Sequence, residues 1–152
     1  MNYEVVELKE KKVVGLTART GNNDVNMTQV IGTLWQRFYG DGIYHAIAGK
    51  KNNCAIGLYS NYKDGVNDRY DVTVCCEVND VQELKDGMVA QTINPGKYAK
   101  FVVHGNMQTA VMDFWTKLWV MDINRSFDCD FEEYQGDGDM ENSEIHMYIS
   151  IA

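Results

Sequence analysis

The chain has no lysine or arginine beyond Arg125, although eight carboxylates follow it: Asp128, Asp130, Glu132, Glu133, Asp137, Asp139, Glu141 and Glu144. These eight account for the whole formal net charge of −8, because the rest of the 152 residues carries equal numbers of acids and bases. Such a field repels a phosphate backbone, which argues against direct nucleic-acid binding. The stretch from Asp137 to Glu141 reads most simply as a solvated acidic loop. No uninterrupted apolar segment reaches the ~18 residues that a membrane span requires. The start, Met1-Asn2-Tyr3-Glu4, lacks the basic and then apolar stretches of a signal peptide. A soluble, cytoplasmic protein is expected. The four cysteines (Cys54, Cys75, Cys76, Cys129) form no CxxC motif and no small secreted framework, so reduced core thiols are expected. His45, His104 and His146 show neither HxxxH nor HxH spacing, and GxSxG, Walker A and GxGxxG motifs are absent. No metal or cofactor is expected.

What remains is a composition suited to one packed domain over 1–152, with 45% hydrophobic and 11% aromatic residues. Met27, Val30, Ile31, Leu34, Trp35 and Phe38 recur at the spacing of one helix face. Met107, Ala110, Val111, Phe114, Trp115 and Leu118 repeat that spacing eighty residues later, pairing Trp35 with Trp115 and Tyr39 with Trp119. A constant offset with matched aromatics points to duplication. Gly32, inside the first helix, is expected to mark close packing on a sheet.

The flanking segments repeat as well. Tyr3 to Leu8 and Val13 to Thr20 read as strands, followed after the first helix by Ala55 to Tyr62, a turn region at Lys63-Asp64-Gly65, and Tyr70 to Val78. Met88 to Ile93 and Lys97 to His104, separated by Asn94-Pro95-Gly96, precede the second helix; Asp128 to Tyr134, a Gly-Asp loop and Glu144 to Ile151 follow it. The expected fold is α+β: two strand-strand-helix-strand-strand units, about 1–79 and 88–152, joined by 80–87. Each helix would cover a face of a mostly antiparallel sheet, in a two-layer sandwich with pseudo-twofold symmetry and a central pocket at the seam between halves.

Alternation along Asp128 to Tyr134 places Glu132 and Tyr134 on one strand face. A carboxylate beside a phenol and tryptophan suits an organic cation, each aromatic adding ~0.5–2 kcal/mol of cation–π attraction. The alternative is an edge strand whose acids face water. Trp115 and Trp119, four residues apart, are candidates for the wall of the site, with Tyr59, Tyr62, Tyr148 and Phe38 as further candidates. Trp35 reads as core packing.

The pieces Leu34-Trp35-Gln36-Arg37-Phe38, Ile56-Gly57-Leu58-Tyr59-Ser60-Asn61-Tyr62, Pro95-Gly96-Lys97-Tyr98-Ala99, Trp115-Thr116-Lys117-Leu118-Trp119, Asp130-Phe131-Glu132-Glu133-Tyr134 and Glu144-Ile145-His146-Met147-Tyr148-Ile149 resemble, in this order, those of GyrI-like domains. These are effector-binding domains of AraC-type and MerR-type multidrug regulators, and they also occur as free-standing, integron-associated proteins. The resemblance implies a duplicated fold with an aromatic pocket, an acid at its base and a preference for hydrophobic cations. A Phe-Glu-x-Tyr signature falls on Phe131, Glu132 and Tyr134, making Glu132 the expected counter-charge. Cys75-Cys76 departs from the glycine common in the fourth strand of relatives, a change expected to narrow or reshape the cavity. The chain has no room for a helix-turn-helix module, so it is expected to sense or sequester a small ligand or to act through a protein partner. Two other activities stay open on this resemblance. One is a detoxifying hydrolase with Glu132 as general base; the other is a gyrase-inhibitor type of protein contact through the acidic C-terminal segment.

Overall fold

In the computed structural model, which describes residues 2–21, 24–62, 69–85, 87–135 and 141–152, the two periodic segments are helices in equivalent registers. Helix α1 spans Met27–Gly40. Its counterpart in the second half is Met107–Trp119, with the short helix α2 (Ile43–Ala46) between them in sequence, so the counterpart is α3. Residues 31–40 and 111–120 have the same sequence of buried, half-buried and exposed positions. Leu34 and Phe38 are buried in α1, and Phe114 and Leu118 occupy the corresponding positions of α3. Full burial of each such side chain is worth ~1.5–3 kcal/mol, which anchors both helices by the same two turns. Asn106 caps α3 by accepting from the Gln108 and Thr109 backbone N–H groups at 3.0 and 3.2 Å. Helix α2 has too few residues to leave a periodic signal. Gly32 is exposed, and a methyl group on it would meet nothing within 4 Å, which corrects the expectation of close packing on the sheet.

Among the described residues, eight strands form one antiparallel sheet: β1 (Glu4–Leu8), β2 (Lys11–Gly21), β3 (Ala55–Ser60), β4 (Arg69–Val78), β5 (Val89–Ile93), β6 (Gly96–Gly105), β7 (Arg125–Tyr134) and β8 (Ser143–Ile151). Their order is β1-β6-β8-β7-β3-β4-β2-β5. Exchanging β1 with β5, β2 with β6, β3 with β7 and β4 with β8 reverses this order. The topology therefore has a twofold axis between β3 and β7. The expected turn at Lys63-Asp64-Gly65 and most of the Gly-Asp loop, including Asp137 and Asp139, lie outside the described residues.

The strands on either side of Lys9-Glu10 do not pair with each other. β1 pairs with β6, whereas β2 lies between β4 and β5. In a flat sheet, β1 and β2 would stand six strand spacings apart, about 29 Å, while the link from Leu8 to Lys11 reaches only about 11 Å. The sheet must roll up to bring its margins together, and the link from Ile93 to Gly96 imposes the same closure on β5 and β6. Val13, Ile93, Tyr98, Phe131 and Tyr148 pack inside the roll, with Val6 and Leu8 against them. Strand parity puts α1 and α3 on the same, outer face, so the helices form one layer and the sheet the other. There α1 covers Val14, Leu16, Val72 and Val74, while α3 covers Phe101, Ile145, Met147 and Ile149.

None of the four cysteines is in a disulfide; Cys75, Cys76 and Cys129 are buried. Burial pushes the Cys76 thiol up to about 12 and raises Cys75 well above its ordinary value, so both stay protonated and inert. Cys75 lies in the inner core and Cys76 beneath α1.

Candidate functional site

Where the axis crosses the sheet, Gly57 of β3 pairs with Glu132 of β7. Tyr59 and Tyr134 follow two residues later on their strands and so return to the same outer face. The helices complete the arrangement. The Trp35 ring meets Tyr134 edge-on with centroids 5.3 Å apart and 84° between planes, and Trp115 meets Tyr59 at 5.3 Å and 71°. Each half thus lends its tryptophan to the other half's tyrosine. Two tryptophans and two tyrosines surround one carboxylate, whose partner across the axis is a glycine.

Glu132 is only 2% exposed. Its Oε2 accepts from Trp115 Nε1 at 2.9 Å and from the Tyr59 hydroxyl at 3.2 Å, and its Oε1 accepts from the Tyr134 hydroxyl at 2.8 Å. All three donors are neutral. Among the described residues no lysine, arginine or histidine forms an ion pair with it. Burial pushes the Glu132 carboxyl above its ordinary value, and the Trp115, Tyr134 and Tyr59 hydrogen bonds only partly oppose that push. Tyr59 and Tyr134 are raised well above the usual phenol range, first by burial and then by the Glu132 charge, so both remain donors.

Asp130, two residues earlier on the same face, provides an internal contrast. It is fully buried, but Arg125 Nη2 pairs with Oδ2, the Tyr62 hydroxyl donates to the same oxygen at 2.6 Å, and the Ser150 backbone N–H donates to Oδ1 at 3.0 Å. The Arg125 guanidinium lies 4.3 Å from the Phe127 ring centre and 6.0 Å from that of Trp115. One of the two adjacent buried carboxylates has its cation and the other does not. That difference cannot be read from alternation, which treats Asp130 and Glu132 alike.

The remaining candidates occupy different surroundings. Phe38 is fully buried and packs edge-on beneath Trp35 at 6.0 Å, so it supports the wall from within the core. Tyr62 belongs to Asp130. Tyr148 pairs with Phe131 across β8 and β7 and stacks on it at 4.5 Å inside the roll, on the face opposite Glu132. Trp119 is 51% exposed at the end of α3, and Tyr39, its counterpart, is also 51% exposed. Four residues along a helix is ~6 Å of rise, enough to carry Trp119 away from Trp115 to an open surface groove beside Met121 and Ile123. Neither Cys75 nor Cys76 is among the partners of Glu132. Conversely Trp35, read from sequence as packing, stands over the site, and nothing in the strand pattern distinguishes Gly57. The eighty-residue offset carried the missing signal, because applying it to Trp115 leads to Trp35. Aromatic side chains fill the centre of the seam, so an open central cavity is not what surrounds Glu132.

The rolled antiparallel sheet with two equivalent helices on its outer face is an α+β fold shared with known proteins. The description "Cass2: Integron-associated effector binding protein" matches residues 4–151, and the chain belongs to that family. Its fold matches an integron cassette protein from the mobile metagenome of Vibrio cholerae with a TM-score of 0.80 and 26% identity over 99% of this chain and 95% of that one. SAV2435 bound to tetraphenylphosphonium has a TM-score of 0.76 and 22% identity, over 99% and 94% of the two chains. The EcmrR C-terminal domain matches at 0.55 and 17%, over the full length of both. No curated protein matches the chain in sequence.

Proposed function

We propose that the protein is a sensing or sequestering module for a hydrophobic organic monocation, held by Glu132 between Trp35, Trp115, Tyr59 and Tyr134. The observation that carries this reading is the buried carboxylate answered by neutral donors alone. Burying an uncompensated carboxylate costs several kcal/mol, a poor device for stability but a useful one for a ligand that brings the missing charge. Arg125 already neutralises Asp130, so the seam presents one net negative charge. Four surrounding rings offer ~0.5–2 kcal/mol each to a cation near their faces, and an aromatic cation adds apolar contact. The site is closed by its own side chains, so a ligand must swing the tyrosine hydroxyls or the tryptophans off the carboxylate to reach it. The complex of the related fold with tetraphenylphosphonium supplies a probe of the right chemistry. Titration with tetraphenylphosphonium should quench tryptophan fluorescence saturably, at one ligand per chain. A linear, non-saturating response would refute the reading.

A further inference from the structure

Among the side chains that surround Glu132, the twofold arrangement is broken at the acid itself. Every element of the site has its counterpart, Trp35 with Trp115 and Tyr59 with Tyr134, except that Gly57 stands where symmetry would place a second acid. A β-carbon built on Gly57 would lie 2.8 Å from Glu132 Oε1, 3.4 Å from Trp35 Cζ2 and 3.6 Å from Glu132 Cδ. The first distance is shorter than real side chains tolerate, and Oε1 is the oxygen that accepts from Tyr134.

We propose that Gly57 is a positioning residue of this site: its missing side chain is the seat into which the Glu132 carboxylate folds, beneath the donors from both halves. The inference deepens the cation-binding reading and rests on it, but its geometric content is separable. With a methyl group at position 57, Oε1 moves outward and separates from the Tyr134 hydroxyl, and the acid rises toward the rings. A wide cation such as tetraphenylphosphonium then meets the charge before it can make full contact with the rings. Glycine is otherwise a poor choice here, since in a strand it weakens both backbone order and packing. The outer faces of its neighbours on β3 carry Ala55 and Tyr59, so a side chain is normal for this strand.

The test compares wild type, Gly57→Ala, Glu132→Asp and the double variant. The reporter is the Trp115 indole N–H resonance, assigned by its loss in Trp115→Phe, together with the tetraphenylphosphonium dissociation constant. Gly57→Ala should shift the Trp115 resonance, leave that of Trp119 in place and weaken binding at least tenfold. The shorter acid of Glu132→Asp withdraws from the added methyl, so the double variant should bind at least as well as Glu132→Asp alone. An unmoved Trp115 resonance, Gly57→Ala binding within twofold of wild type, or a double variant weaker than Glu132→Asp would overturn the inference. If Gly57→Ala loses its cooperative thermal transition, the double variant decides: folded with the affinity of Glu132→Asp it supports the seat, and unfolded it overturns it. The indole resonance is read without ligand, so absence of binding by wild type would refute the cation reading while the seat is still judged.

Discussion

Replacing Glu132 by glutamine preserves the outline of the side chain and removes its charge, with opposite consequences for stability and binding. The folded protein holds the Glu132 proton more tightly than the unfolded chain does, because burial outweighs the Trp115, Tyr134 and Tyr59 hydrogen bonds. An acid shifted upward in this way is harmless below its ordinary value of 4.5; stability then declines as pH rises through the folded value, above which the cost is complete. Glu132→Gln should escape that cost. Its amide still accepts hydrogen bonds, although neutral ones are about half as strong as those to a carboxylate. Relief of a strained functional group is typically worth ~0.5–2 kcal/mol, and for a chain of this size 1 kcal/mol moves the melting temperature by about 2–4 °C. Binding should move the other way, since removing one member of a buried charge pair costs ~2–5 kcal/mol, or roughly 30-fold to several-thousand-fold in affinity. Thermal denaturation of both proteins between pH 4 and 8.5, paired with tetraphenylphosphonium titrations, measures both effects. The variant should melt higher at pH 8, and the difference should close toward pH 4. A variant less stable than wild type at pH 8, or one that binds within threefold of it, would refute the reasoning.

Arg125→Ala strands the fully buried Asp130 carboxylate and should cost ~3–5 kcal/mol in chemical denaturation, whereas Arg125→Met with Asp130→Asn should recover most of that loss. Gly32→Ala adds a methyl to an exposed helix position with nothing in reach, so it should raise stability by ~0.5–1 kcal/mol in the same assay. Trp119→Phe should leave ligand-induced quenching nearly intact, while Trp115→Phe and Trp35→Phe should each diminish it; equal effects of all three would place the ligand outside the seam.

Much of the architecture is legible because it is local. Apolar spacing in Met27 to Phe38 and Met107 to Leu118 reflects helix period directly, and the eight strands announce themselves by alternation bounded by turns. Pairing is not local. Which strand lies beside β1 depends on a partner 88 to 96 residues away, and the exchange of β1 and β5 between halves leaves no mark on either segment. Tyr148 shows the consequence for the site: its face depends on its register with Phe131, and a shift of one residue would have turned it toward Glu132. Glu132 and Tyr134 are on one strand, so their common face needs no register at all. Trp119 shares the helix stripe with Trp115, but the stripe does not record where the sheet beneath it ends.

The crossing of β1 to the far half also orders events during synthesis. Glu4 pairs with Lys100 and Leu8 with Gly96, so β1 has no partner until β6 has left the ribosome. At ~5–20 residues per second that delay is on the order of 5–20 s, with Val6 and Leu8 waiting without their place in the inner core. Closure of the roll thus waits until both halves of the domain have been made. Neither half can finish its own sheet margin first, and the seam on which Glu132 sits comes into existence only when both have been made.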